Sequence, residues 1–203
     1  MDIKVFEGKE EKEVLATALK ELNATEEEVV YYVTKTKAGL LKKEVVSVHI
    51  VKYEDIVAYI KEFLANLTKD MGLEVTFESR IRDNQINIKM YSDNNSILIG
   101  KNGQTLQALT TVIKQVVYNQ IHSYPYLLLD VENYKEKQEK HLERLAKNIA
   151  REVAKTKNAV ELENMNSYER RIIHNFLSEN TKVYTESVGE EPNRHIVIKP
   201  KED

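Results

Sequence analysis

Apolar and polar residues recur with two different periods over the first quarter of the chain. Residues 9–22 carry apolar side chains three and four positions apart, which places them on one face of a helix. Alternation with a period of two predicts strands instead. The predicted strands are 3–6, 29–36 and 44–51. Together with a turn at Lys37-Ala38-Gly39, these elements predict a β-α-β-β unit over residues 1–52.

The same two periods divide residues 53–132 into a second unit. Its predicted elements are a helix at 54–70, strands at 73–79 and 85–91, a short helical turn ending in Ile97-Leu98-Ile99, a helix at 104–119 and a strand at 126–131. A loop that contains Gly100 and Gly103 separates the short helical turn from the next helix. The element order is therefore α-β-β-α-α-β.

A third unit, residues 133–203, begins with the longest predicted helix. Its predicted elements are a helix at 134–157, a strand at 159–163, a helix at 168–178 and strands at 183–187 and 195–198. The order α-β-α-β-β completes an α+β fold of three small domains. Because the chain contains only six Gly and three Pro, we expect short tethers between the domains.

Composition and net charge narrow the classes of function. The 203 residues include no Cys, so disulfides, thiolate metal sites and a Cys nucleophile are excluded. Neither a signal-peptide core nor an apolar run of membrane-spanning length is present, and we expect a soluble, cytoplasmic protein without membrane insertion. A formal charge of −3 argues against indiscriminate binding of polyanions.

Charge is unevenly distributed along the chain. No Asp or Glu lies between Asp93 and Asp130, whereas an even spread of the 33 acids would place about six there. A second bias, over 135–157, sets eight basic residues against four acids. The basic residues are Lys135, Lys137, Lys140, Arg144, Lys147, Arg151, Lys155 and Lys157. A solvated helix face explains this second bias equally well.

The loop from Gly100 to Gly103 lies inside the acid-free segment and has the composition of a phosphate site. Glycines allow a sugar-phosphate backbone to approach closely, and Lys101 and Asn102 supply a cation and an amide donor. The following helix directs its free N–H groups and positive dipole end to the same place. Ile97, Leu98 and Ile99 offer aliphatic surface for bases. A helix-turn-helix corner that needs two glycines is the alternative.

Arg170 and His174 are four residues apart on a predicted helix and share one face. An Arg side chain can fork onto a phosphate, and a His side chain can hydrogen-bond or stack. The pair is a second candidate for a nucleic-acid contact, although this spacing alone is common.

Several stretches resemble one family. The run Ile99-Gly100-Lys101-Asn102-Gly103-Gln104-Thr105-Leu106 resembles the I-G-x-x-G-x-x-L signature of KH domains, in the type II element order. Residues 163–174 and 187–198 are similar to the Arg-x-x-x-His domain at the C-terminus of the Jag (KhpB, SpoIIIJ-associated) family, with Asn164 and Ser167 where that family often has prolines. Residues 1–52 resemble the N-terminal Jag domain, although the turn at 37–42 keeps one of its two glycines.

The resemblance implies a non-enzymatic regulator that binds single-stranded RNA and acts in cell elongation and division in a Gram-positive bacterium. It implies no cofactor and no metal, and it suggests a small KH-domain protein as partner. A homodimer is a further expectation. The residues expected to contact RNA are Ile99, Gly100, Lys101, Asn102, Gly103, Arg170, Arg171, His174 and Arg194.

Two other functions stay open at this point. A nuclease would need acid-base or metal chemistry, and His122, Asp130 and Glu132 are too scattered in sequence for metal-ligand spacing, although His174 and His195 offer two bases. A protein-interaction adaptor would use the β-α-β-β unit and the sheet edges to recruit partners.

Overall fold

A computed structural model describes residues 1–37 and 44–201. The predicted turn at Lys37-Ala38-Gly39 falls at the edge of this part, with Ala38 and Gly39 outside the described residues. The chain divides into two compact units, Met1–Glu132 and Asn133–Asp203.

The element order predicted from the sequence is confirmed, and the class is α+β. The elements are β1 (Lys4–Gly8), α1 (Glu11–Leu22), β2 (Val29–Lys37), β3 (Glu44–Lys52), α2 (Tyr53–Asp70), β4 (Val75–Arg82), β5 (Gln85–Ser92), α3 (Asn95–Ile99), α4 (Gln104–Ile121), β6 (Tyr126–Val131), α5 (Tyr134–Thr156), β7 (Val160–Asn164), α6 (Ser167–Leu177), β8 (Val183–Val188) and β9 (His195–Pro200). Most ends differ from the prediction by one to three residues, the scatter expected where helices and strands fray.

The first sheet is antiparallel, in the order β1-β3-β2. Its middle strand alternates buried and partly exposed residues, and Val48 and Ile50 are fully buried against Val14 and Ala18 of α1. This packing explains the helical apolar period over the first helix.

The second sheet has the order β4-β5-β6, with β5 and β6 parallel. Asp83 and Asn84 both have positive φ and close the β4–β5 hairpin, the backbone that a tight two-residue turn requires. The buried side of α4 packs beside this sheet. It consists of Leu106, Leu109, Ile113, Val117 and Ile121. The first four of these form the face predicted from the sequence.

An aromatic contact joins the first two predicted domains inside one compact unit. Tyr32 of β2 stacks on His49 of β3 with ring centroids 4.4 Å apart, and its edge meets His122 at the end of α4 at 5.0 Å. The predicted boundary at residue 52 therefore separates two sheets that belong to the same unit of the structure.

The second unit places α5 and α6 against an antiparallel sheet of order β7-β9-β8. The helices and the sheet share one apolar core, in which Ala146, Val153, Ile173 and Ile198 are fully buried. Since α5 buries a narrow stripe of small and apolar side chains, its basic residues are left at the surface.

Candidate nucleic-acid interface

The backbone at Gly100 has a conformation that only glycine adopts easily. Its φ is +70° and its ψ is 178°. A Cβ atom built there would lie 2.2 Å from Oγ1 of Thr105 and 2.9 Å from the backbone nitrogen of Thr105. The first glycine of the loop is therefore required by both backbone strain and close contact with the start of α4.

The rest of the loop leads directly into α4. Lys101 to Gly103 form one 3₁₀ turn, in which Asn102 has φ +51°, and Gly103 precedes the helix with φ +76°. Gly103 offers no side chain to cap the helix, and the first N–H groups of a helix lack intrahelical partners. Lys101 is exposed beside them. The structure thus brings an ammonium group and helix N–H donors to one place, as an anion site needs.

The aliphatic surface before the loop is smaller than the sequence suggests. Ile97 is exposed and Ile99 is half-buried, whereas Leu98 is fully buried in the core. The expectation that Leu98 offers surface for bases is wrong, because successive helical residues point about 100° apart and one of three must face inward.

The acid-free segment is approached by one carboxylate from outside it. The amide of Asn95, at the start of α3, donates to Oε2 of Glu132 at 3.4 Å. Glu132 lies just after β6, whose parallel pairing with β5 sets its position. The carboxylate therefore meets the far end of α3 from the glycine loop.

Arg170 lies at the start of α6 and is held by protein acceptors. One guanidinium nitrogen donates to the carbonyl oxygen of Met165 at 2.6 Å, and another donates to Oε1 of Glu191 at 2.7 Å. The Arg170 side chain is 9 % exposed, and that of Glu191 is 61 % exposed. Arg170 thus ties the loop between β8 and β9 to the entry of α6.

The surroundings of Arg170 explain why it turns inward. Asn166 caps α6 by accepting from the N–H groups of Tyr168 and Glu169, and the Glu169 carboxylate accepts from the N–H of Asn166 in return. Glu169 is itself buried. This capping box fixes the first turn of α6 beside the carbonyl of Met165, where the Arg170 side chain closes the end of the helix.

His174 shares the Arg170 side of α6 but is exposed. Its Nδ1 lies 2.6 Å from Oγ1 of Thr185, which fixes the imidazole against β8. On the neighbouring loop end, Nε of Arg194 donates to Oγ of Ser187 at 2.9 Å and leaves the Arg194 side chain at the surface. The i, i+4 pair is therefore one exposed imidazole and one buried guanidinium.

Arg171 occupies a different part of the surface. It lines a shallow groove between α5 and α6 together with Glu139 and Glu143. Two carboxylates in the same groove lower its attraction for an anion. Of the residues expected to contact nucleic acid in this unit, His174 and Arg194 are the ones exposed away from these acids.

Glu191 is the functional side chain that sequence reasoning missed. The stretch from Ser187 to Ile198 contains it without any pattern that points to Arg170, because the two residues are 21 positions apart. Only the fold of the β8–β9 loop brings them together.

Within residues 1–37 and 44–201, no helix combines the length and apolar character that a membrane crossing needs. The same residues contain no group of three or more His, Asp or Glu side chains arranged to hold a metal ion. His195 lies 3.8 Å from Glu161, and its Nδ1 lies 3.0 Å from the carbonyl oxygen of Asn193.

Comparison with known proteins assigns both units to domain families. Residues 57–126 match the KH domain family of KhpA and KhpB, and residues 140–200 match the family of domains named for the Arg-x-x-x-His motif. The fold and the site thus define a protein with a KH domain followed by an Arg-x-x-x-His domain.

Two full-length relatives carry one name. The RNA-binding protein KhpB of Clostridium symbiosum is 37 % identical over 208 aligned residues, covering 100 % of this chain and 94 % of that protein. The RNA-binding protein KhpB of Bacillus subtilis is 32 % identical, covering 96 % of each chain. The chain belongs to the KhpB family.

Proposed function

We propose that this protein binds single-stranded RNA without cleaving it, and that the loop from Gly100 to Gly103 holds the sugar-phosphate backbone. The observation that carries the proposal is the geometry at Gly100, where a glycine-only backbone sets Lys101 beside the uncapped start of α4. The names of the relatives, which describe RNA-binding proteins, support the choice of ligand.

A loop of this kind clamps about four nucleotides by their backbone. The Lys101 ammonium group neutralises one phosphate, and the Asn102 side chain and the first N–H groups of α4 donate to its oxygens. Glycine at 100 and 103 lets the strand approach without a side chain in the way. Ile99, with Ile97 beside it, supplies the apolar surface for a base.

The second unit contributes a separate contact through His174 and Arg194, with Arg171 as a weaker helper. We propose that Arg170 acts mainly as a positioning residue, because its guanidinium already donates to Met165 and Glu191. By holding the β8–β9 loop, Arg170 keeps Arg194 at the surface. A direct contact of Arg170 with a phosphate would require the exposed Glu191 carboxylate to move away.

The wider role belongs to the same proposal and rests on the family resemblance. An RNA-binding regulator of cell elongation and division, working in the cytoplasm of a Gram-positive bacterium, fits that resemblance. A small KH-domain protein is the expected partner, and a homodimer is a second expectation. Size-exclusion chromatography with light scattering, with and without a small KH-domain protein, tests both.

Reversal of charge in the loop tests the RNA site. The double variant Lys101→Asp, Asn102→Asp places carboxylates where phosphates bind, so affinity for a labelled single-stranded RNA should fall more than tenfold, or more than about 1.4 kcal/mol. A matched control is Lys114→Asp, Asn119→Asp, which makes the same charge change on exposed positions of α4 outside the loop. Equal losses in both variants, or no loss in the loop variant, would refute the site.

A nuclease and a protein adaptor remain testable rivals. Incubation of the purified protein with labelled RNA and Mg²⁺ or Mn²⁺ should leave the strand intact. Cleavage that disappears in His174→Ala would replace the proposal with an enzymatic function. An adaptor that uses no RNA would bind its protein partner equally well after charge reversal in the loop and would show no affinity for RNA.

A further inference from the structure

A basic groove lies along the second half of α5. Lys147, Arg151 and Lys155 line it from α5, and Lys182, just before β8, lines its other side together with Phe176. Glu179 is the one acidic residue among the side chains that line this groove. The groove differs from the neighbouring one around Arg171, where Glu139 and Glu143 oppose the single cation.

The cations of the basic groove are not engaged by the protein. Among the described residues, no carboxylate lies within salt-bridge distance of the Lys147, Arg151 or Lys155 side chains. Lys140, earlier on the same helix, is different: its ammonium group hydrogen-bonds to Glu136, which raises the pKa of Lys140. The basic groove therefore keeps its charge available for an external anion.

Helix stability does not explain this arrangement. Cations near a helix C-terminus are stabilising, but the effect is limited to the last turn. Lys155 lies in the last turn of α5, whereas Lys147 and Arg151 lie one to two turns earlier. A solvated helix face, the alternative raised by the sequence, would place the cations among acids, as happens around Lys140.

The spacing of the cations matches a chain of phosphates. Lys147, Arg151 and Lys155 are four residues apart, so they follow one another at about 6 Å along the helix axis. Regular steps of this size suit an extended single strand. Phe176 is 41 % exposed at the side of the groove and offers a ring face on which a base can stack.

We propose that the basic groove binds the backbone of single-stranded RNA and supplies most of the electrostatic attraction of the second unit. This inference rests on the proposed RNA-binding function and adds a surface to it. It also explains how this unit attracts a phosphate backbone although Arg170 is held by Glu191.

The salt dependence of RNA binding tests the groove. The triple variant Lys147→Ala, Arg151→Ala, Lys155→Ala in the full chain keeps α5 helical, because Ala is the best helix former. The probe is a labelled polyuridine strand of about twelve nucleotides, three times the length that a KH loop clamps. Each lost phosphate contact lowers the slope of log affinity against log salt by about 0.7 for a single strand, so the slope should fall by about 2.

A matched control separates the groove from overall charge. The variant Lys135→Ala, Lys140→Ala, Arg144→Ala removes the same charge from the same helix at positions outside the groove. Its slope should change by less than one contact. Phe176→Leu should lower affinity about fivefold to tenfold with the slope unchanged, since stacking is lost and no charge is removed.

Each result decides between the claims. Equal slopes for the two triple variants, or an unchanged slope in the groove variant, would overturn the groove. The groove would also be overturned if polyglutamate bound to it without lowering RNA affinity, because an acidic peptide would then be its ligand. If the unmodified protein fails to bind the strand, the proposed function fails. If binding depends on the loop but not on the groove, only the groove inference fails.

Discussion

Replacement of Gly100 by alanine probes the loop conformation directly. At φ +70° and ψ 178° the backbone lies in a region that is nearly exclusive to glycine, and a residue with a side chain there costs about 1–3 kcal/mol. The new Cβ would also lie 2.2 Å from Thr105 Oγ1 and 2.9 Å from the Thr105 nitrogen. The loop must therefore shift away from α4, and the phosphate site is lost with it.

Thermal unfolding and RNA affinity measure the two consequences. For a unit of about 130 residues, 1 kcal/mol corresponds to about 4 °C in Tm, so Gly100→Ala should lower Tm of the first unit by about 4–12 °C. RNA affinity should fall at least tenfold at a temperature where the variant is still folded.

Two further variants sharpen this test. Adding Thr105→Ala removes the contact at Oγ1 but leaves the one at the backbone nitrogen, so stability should recover only in part. Gly72→Ala is the control, because Gly72 also has a positive φ of +76° but no atom within 4 Å of its added Cβ. It should cost about 1 kcal/mol and leave RNA affinity unchanged. Full stability and full affinity in Gly100→Ala would refute the loop geometry.

Other substitutions test the second unit and one cap in the first. Arg170→Ala removes the hydrogen bonds to Met165 and Glu191 and should destabilise this unit by about 1.5–3 kcal/mol, measured by chemical denaturation. Glu191→Gln should increase RNA affinity if the carboxylate competes with phosphate for Arg170, and unchanged affinity would confine Arg170 to a positioning role. Asn166→Ala should cost about 1 kcal/mol through loss of the α6 cap. Hydrogen bonds from the backbone and side chain of Thr25 lower the pKa of Glu28, so the stabilisation they provide should be lost as pH falls through that lowered pKa; an ordinary Glu28 pKa by NMR would contradict the cap.

Periodicity was enough to predict the order of elements because each element buries one face. The helix after the glycine loop shows this well, since its four predicted core positions, Leu106, Leu109, Ile113 and Val117, are all buried. The loop itself was also predictable, because the two glycines, the cation and the helix start are neighbours in sequence. Short-range chemistry of this kind needs no knowledge of the tertiary fold.

The state of Arg170 was not predictable in the same way. The i, i+4 spacing of Arg170 and His174 places them on one side of α6 but does not reveal what covers that side. The β8–β9 loop returns to the start of the helix and supplies Glu191 from 21 positions away. The packing of the first sheet beside α4 through Tyr32 and His122 depends in the same way on contacts between distant segments.

Crosslinking of the full chain to a labelled single-stranded RNA, with mass spectrometry of the attached peptides, tests the central claim most directly. The account predicts crosslinks in the segment 97–107, which contains the glycine loop, and in the second unit around the basic groove, His174 and Arg194. Crosslinks confined to residues 1–37, or none under conditions where a known KH-domain protein crosslinks, would contradict it.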